Sequence, residues 1–112
     1  MPVSFQQLRT ILKSLEPDMK VYRDEAPTTA KYPYIVYEFV NEQQKRASNQ
    51  VLYDSPLYQI ALVTNGIESD LKPLKDVFNN HGVSYEQFDG VPYDENDTTV
   101  TQFITYVRCL NG

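Results

Sequence analysis

"YIVYEFVNEQQKRASNQVLYDSPLYQIALV", residues 34–63, sets two segments dense in tyrosine and aliphatics on either side of a polar stretch, 41–56. Tyr34–Val40 is β-branched or aromatic at most positions. That composition suits an interior strand covered on both faces, or covered on one face by a neighbouring subunit. Leu57–Val63 puts Tyr58, Ile60 and Leu62 on one side of a second strand, because side chains alternate across a pleat. Asn65-Gly66 closes it with a pair suited to positive φ. These two strands are expected at the centre of a sheet.

The connection between them is too long for an ordinary loop. Structureless connections beyond about 12–15 residues are uncommon in compact domains, and are usually functional or disordered. Either 41–56 is such a loop, or "VNEQQKRASN" and "QVLYDSP" are strands that run past the globule as exposed ladder. Both produce a projection, and the expectation taken forward is a long polar β-hairpin arm. Near its middle stands the one adjacent basic pair, Lys45-Arg46, on an otherwise acidic chain. A polar projection with local positive charge suits contact with a partner or the lining of a channel.

Outward from this pair, Ser4 and Gln7 have the spacing of a capping box. Phe5, Leu8, Ile11, Leu12 and Leu15 then recur at helical intervals until Pro17. "MKVYR" (19–23) reads as a short strand and "DEAPTTAKYP" (24–33) as a loop. A second helix is expected over 69–81, with Leu71, Leu74, Val77 and Phe78 as its stripe, Pro73 in its first turn and Gly82 at its end. "VSYEQF" (83–88) reads as a strand, "DGVPYDENDT" (89–98) as an acidic turn-rich loop, and "TVTQFITYVRCL" (99–110) as a long last strand. On that strand Val100, Ile104 and Tyr106 face one way, and Phe103, Val107 and Cys109 the other. The order predicts one α+β domain over 1–112: a mostly antiparallel sheet of four or five strands, two helices on one face, and the arm.

Composition narrows the function. A chain of 112 residues fits one domain and buries about two-thirds of its unfolded surface, enough for a core without metal or disulfide. The formal net charge of −5 disfavours a general nucleic-acid binder or a peripheral membrane protein. One cysteine, Cys109, and one histidine, His81, fall short of a structural zinc set, and a lone cysteine fits a reducing compartment. The N-terminus does not read as a signal peptide, and no stretch approaches a spanning helix of about 18 apolar residues.

Catalytic candidates are thin. His81 beside Gly82 suits a helix C-terminus, and Cys109 in an apolar strand pattern reads as a small buried hydrophobe. The acidic run 93–98 lacks the spacing of a calcium loop, and the four glycines are not spaced as a phosphate cradle. Asn96-Asp97-Thr98 forms a glycosylation sequon, relevant only in a secreted protein. A small hydrolase using Asp89, Asp94 or Asp97 with a metal is the enzymatic alternative. Otherwise no catalytic residue, cofactor or metal is expected. Most of the nine tyrosines alternate within strands, which favours packing over base stacking. Tyr22, Tyr34, Tyr37, Tyr58 and Tyr106 are of the type that anchors protein interfaces, and exposed sheet edges are natural places for copies to meet.

The order of these pieces resembles the tail-terminator (tail-completion) proteins of long-tailed bacteriophages and prophages. The likeness rests on "YPYIVY" (32–37), the basic and polar segment ending in "ASNQ" (47–50), the return strand, the helix ending in "NNHGV" (79–83), and "TTVTQFITYVRC" (98–109). It implies a non-enzymatic α+β subunit of the virion, assembled in the host cytoplasm as a hexameric ring. Such a ring caps the head-proximal end of the tail tube and presents a docking surface to the head. Its partners would be copies of itself, the tail-tube protein and a head-completion or neck protein. DNA would pass without specific binding, and no membrane would be involved. The arm corresponds by position to a loop that members project toward the lumen or the tube. The resemblance assigns Lys45, Arg46, Ser48, Asn49 and Gln50 to contacts with a neighbour, the tube or passing DNA. A head-side connector or stopper of the same neck is the nearest alternative.

Overall fold

Ser4 starts the first helix, α1 (Phe5–Lys13), with a reciprocal cap: the Gln7 amide donates to Ser4 Oγ at 3.1 Å and the Ser4 amide to Gln7 Oε1 at 2.9 Å. Two donors that a helix start would otherwise orphan are thereby satisfied. The computed structural model describes residues 3–47, 50–94 and 97–110, with the backbone alone described at 44–47, 50–53, 94, 97 and 98. Leu8, Ile11 and Leu12 are buried along the inner stripe of α1, and Phe5 and Leu15 pack at its margin.

A turn leads from α1 into β1 (Lys20–Arg23), which lies parallel to β2 (Tyr34–Ala47) with Val21 opposite Ile35. β2 pairs antiparallel with β3 (Gln50–Thr64), and β3 with β5 (Asp97–Arg108). β5 also pairs antiparallel with β4 (Asp89–Asp94). The sheet order is β1-β2-β3-β5-β4, mixed but mostly antiparallel, in an α+β fold. After β3, a short 3-10 turn (Glu68–Leu71) runs into α2 (Lys72–Asn80), with Pro73 in its first turn. Gly82 follows at φ +66, the left-handed conformation that ends helices.

Both helices cover one face of the sheet. Leu8, Leu12, Leu74 and Phe78 meet Ile35, Tyr37, Tyr58, Ile60, Leu62 and Val107 in one apolar cluster. Register explains the match, since Tyr37 stands opposite Ile60, Tyr58 opposite Val107, and Ile35 opposite both Val21 and Leu62.

Three expectations change. The strand expected at 83–88 does not form as a ladder. Instead Val83 N donates to Phe78 O, Glu86 N to Tyr106 O, and the Thr105 hydroxyl to Glu86 O. The apolar alternation there serves ring packing: Tyr85 sits 5.4 Å from both Phe78 and Phe88. The strand forms one step later, at Asp89–Asp94, where the proline and glycine suggested a loop. Pro92 fits because β4 is an edge, where a missing N–H interrupts no ladder on the outer side. Gly90 fits because a Cβ there would come within 3.0 Å of the Phe103 ring. Nor does Asn65-Gly66 use positive φ: Gly66 makes room instead for the Asp70 carboxylate, whose Oδ2 accepts from Thr64 Oγ1 at 2.6 Å.

The hairpin reading of 41–56 matches the observed pairing. The β2–β3 ladder continues from Tyr34 opposite Val63 to Ala47 opposite Gln50, with register shifts at Phe39/Asn41 and Lys45/Arg46. β5 accompanies β3 only as far as Leu57 opposite Arg108. The arm's base is nevertheless held in the body: Ser55 is buried and donates to Cys109 O, while Pro56 O accepts from Cys109 N. The chain extends 51 × 29 × 23 Å, with a radius of gyration of 15.1 Å. A compact chain of this length would have about 13 Å.

Phe78→Ala is expected to lower the unfolding free energy by about 3–5 kcal/mol, and Ser4→Ala by about 1 kcal/mol, both measured by urea unfolding. A Phe78→Ala cost near that of Ser4→Ala would contradict this assignment of the core.

Candidate functional site: the open sheet face, its edges and the arm

The face of the sheet opposite the helices carries Tyr34, Val36 and Glu38 from β2, with Gln59, Ala61 and Val63 beside them on β3. Gln102, Ile104 and Tyr106 of β5 continue the same rows. Because every second side chain of each strand points this way, the antiparallel register sets them in rows across the strands. One row is a polar relay: Tyr106 Oη donates to Gln59 Oε1 at 3.4 Å, and Gln59 Nε2 donates to Glu38 Oε1 at 3.0 Å.

At one end this face is covered. Tyr34, Val63 and Val100 are buried there beneath Ala26 and Ala30 of the 24–33 loop. Tyr22 meets the Tyr34 ring edge-on at 5.9 Å, and Tyr32 stacks on it at 5.7 Å. Burial, and next a hydrogen bond with Tyr93, push the Tyr34 phenol above its ordinary range.

Between that loop and Tyr93 lies a groove of about 350 Å³. Val36, Ala61 and Val63 supply apolar floor, and Glu38, Gln59 and Gln102 supply polar floor. Asp24, Glu25 and Ala26 form one wall. Asp24 adopts φ 69, a left-handed conformation that Asp tolerates better than most residues, and its amide donates to Tyr37 O at 2.9 Å.

The sheet edges are less available than their sequence suggests. On the outer side of β1, Val21 N donates to Glu16 Oε2 at 3.1 Å, and Lys13 Nζ donates to Val21 O at 3.1 Å. Glu25 N donates to Arg23 O at 2.8 Å. The backbone hydrogen bond from Val21 is the chief reason the Glu16 carboxyl titrates below its ordinary value. The opposite edge, β4, contains Pro92, which has no N–H to offer. Such devices discourage strand addition.

The expected interface tyrosines divide. Tyr34, Tyr37 and Tyr58 are 5%, 3% and 6% exposed, so they serve the chain's own interior and have almost no surface for a partner. Phe5 stacks on Tyr58 at 4.6 Å, and Arg23 lies over the Phe5 ring at 5.2 Å. Tyr22 and Tyr106 are half-buried on the open face. Residues that the sequence reading passed over are the exposed ones: Phe39, Val40, Tyr93, Tyr32, Val91 and Ile67. Phe39 and Val40, at the last body positions of a strand that runs on as polar ladder, carried the available signal.

In the arm, the backbone sets Lys45 opposite Tyr53, Arg46 opposite Val51 and Ala47 opposite Gln50, while Ser48 and Asn49 lie outside the described residues. Asn96 of the sequon lies outside them too. His81 follows α2 directly, its amide bonded to Val77 O. Asp89 accepts from Gln87, and Asp94 pairs with Asp97 along the backbone. Among the described residues, no three histidine, cysteine or acidic side chains gather as a metal site, and no helix is long and apolar enough to cross a membrane. No family model matches the chain, and no curated protein matches its sequence.

Burial pushes the Cys109 thiol up to about 11, above its ordinary value of 9.0. A folded-state value above the unfolded one gives stability that is complete below the unfolded pKa and is lost as pH rises through the folded pKa. Urea unfolding should therefore show stability declining between pH 9 and 11, with a shallower decline in Cys109→Ala. Thiol reagents at pH 8 should leave the native protein unlabelled and react once it is unfolded. Rapid labelling without unfolding would contradict the burial of Cys109.

Proposed function

We propose that the protein is a non-catalytic assembly subunit that acts by fitting against copies of itself and neighbouring proteins, as a ring-forming tail terminator of a long-tailed phage or prophage. The observation that carries this reading is the arm. The two central strands of the sheet continue together beyond the point where β5 leaves them, so the arm grows directly out of the strands that carry the core. A projection that continues the strands of the core suits a subunit that must engage a neighbour beyond its own body.

Other features support the reading without being specific to it. The α+β fold agrees with the one the resemblance implies. Phe39 and Val40, 51% and 42% exposed, are apolar side chains left uncovered where the arm leaves the body. Apolar side chains at such a place suit burial in an assembly. The acidic chain suits a lumen through which DNA slides without being held. In this role the subunit would sit in the virion at the head-proximal end of the tail tube, with a neck protein on its other side.

Sedimentation of the purified chain with assembled tail tubes tests the proposal. The expected result is a multimer of about six copies bound at one tube end, with tubes that no longer elongate. A chain that stays monomeric and leaves tube growth unchanged would contradict it. Binding to filled heads in place of tubes would move the subunit to the head-side connector.

A further inference from the structure

We propose that the groove on the open sheet face is the seat for the arm tip of a second copy of this chain, with Lys45 and Arg46 of one copy set against Asp24, Glu25 and Glu38 of the next. The inference rests on the reading of the protein as a self-assembling subunit, and it names the contact. Charge complementarity is the first argument. Lys45 and Arg46 are the only charged residues between 43 and 53, so the tip carries +2 while the rest of the chain carries −7 of the net −5. Asp24, Glu25 and Glu38 stand together at the groove, and among the described residues none of them makes an ion pair. A carboxylate set beside the half-buried Val36 fits long cationic side chains, whose methylene stems lie on apolar surface while their heads meet the acids.

Reach is the second argument. Lys45 lies seven residues beyond Glu38 on the same strand, which at about 3.3 Å per residue carries it some 23 Å away. The tip therefore cannot fold back into its own groove. Exclusion is the third: with β1 self-capped and β4 interrupted by Pro92, strand addition is discouraged at both edges. A face and an arm remain, and joining the arm of one copy to the face of the next is the head-to-tail geometry that closes rings.

A charge-swap experiment decides the matter by sedimentation velocity over a range of concentration and salt. K45E/R46E and E25K/E38K should each weaken self-association at least tenfold, and a mixture of the two variants should restore it. In that mixture each reversed arm faces a reversed groove, and each native arm a native groove. Far-UV circular dichroism and urea midpoints verify folding. If E25K/E38K is unstable because Glu38 also accepts from Gln59, D24N/E25K takes its place and leaves that bond intact. Wild-type association should weaken as salt rises. If the wild type assembles and the reversals change nothing, or if mixing restores nothing, this contact is wrong while the assembly reading stands. If the wild type remains a monomer with and without tubes, both fall.

Discussion

The antiparallel ladder between β2 and β3 is the constraint on which the rest of the structure depends. In the body it places Ile35, Tyr37, Tyr58, Ile60 and Leu62 on a single face, and this is the surface both helices cover. The same alternation gives the opposite face a mixed row of tyrosine, valine, glutamate and glutamine. Past Leu57 the ladder loses β5 but continues, so one set of backbone hydrogen bonds makes the core and then the arm. A slip of one residue in that register would exchange the two faces. It would turn apolar side chains to water and carboxylates toward the helices.

Several parts of this arrangement were legible from residues alone, because the local chemistry and the global fold agree there. Ser4 with Gln7 marks a helix start, Gly82 a helix end, and the apolar stripes of α1 and α2 name the side chains that reach the core. The β2–β3 hairpin was legible for a different reason, since no compact domain readily carries so long a connection without structure.

Elsewhere, one pattern served two physical ends. Tyr85 and Phe88 alternate as strand residues do, yet they pack as rings against Phe78 and leave the ladder to a segment holding a glycine and a proline. An edge position tolerates both, and being at the edge is a property of topology that composition does not carry. The tyrosines show the same limit. Periodicity assigns each to a side of its strand, but coverage depends on what lies above: Phe5 of α1 over Tyr37 and Tyr58, the 24–33 loop over Tyr34. The groove was invisible beforehand because Asp24, Glu38 and Tyr93 come from distant parts of the sequence. The closing of β1 was equally hidden, since it depends on Lys13 and Glu16 reaching across from the end of α1.

The helices close the interior on one side and leave one sheet face and one hairpin uncovered, which on the proposed reading are where partners bind. Amide hydrogen exchange of the chain, alone and in the presence of tail tubes, tests this most directly. The account predicts slow exchange at Ile35, Ile60 and Leu62 in both states, and exchange along the arm's ladder that is slower with tubes than in the isolated chain. Arm amides that exchange equally fast in both states would contradict it.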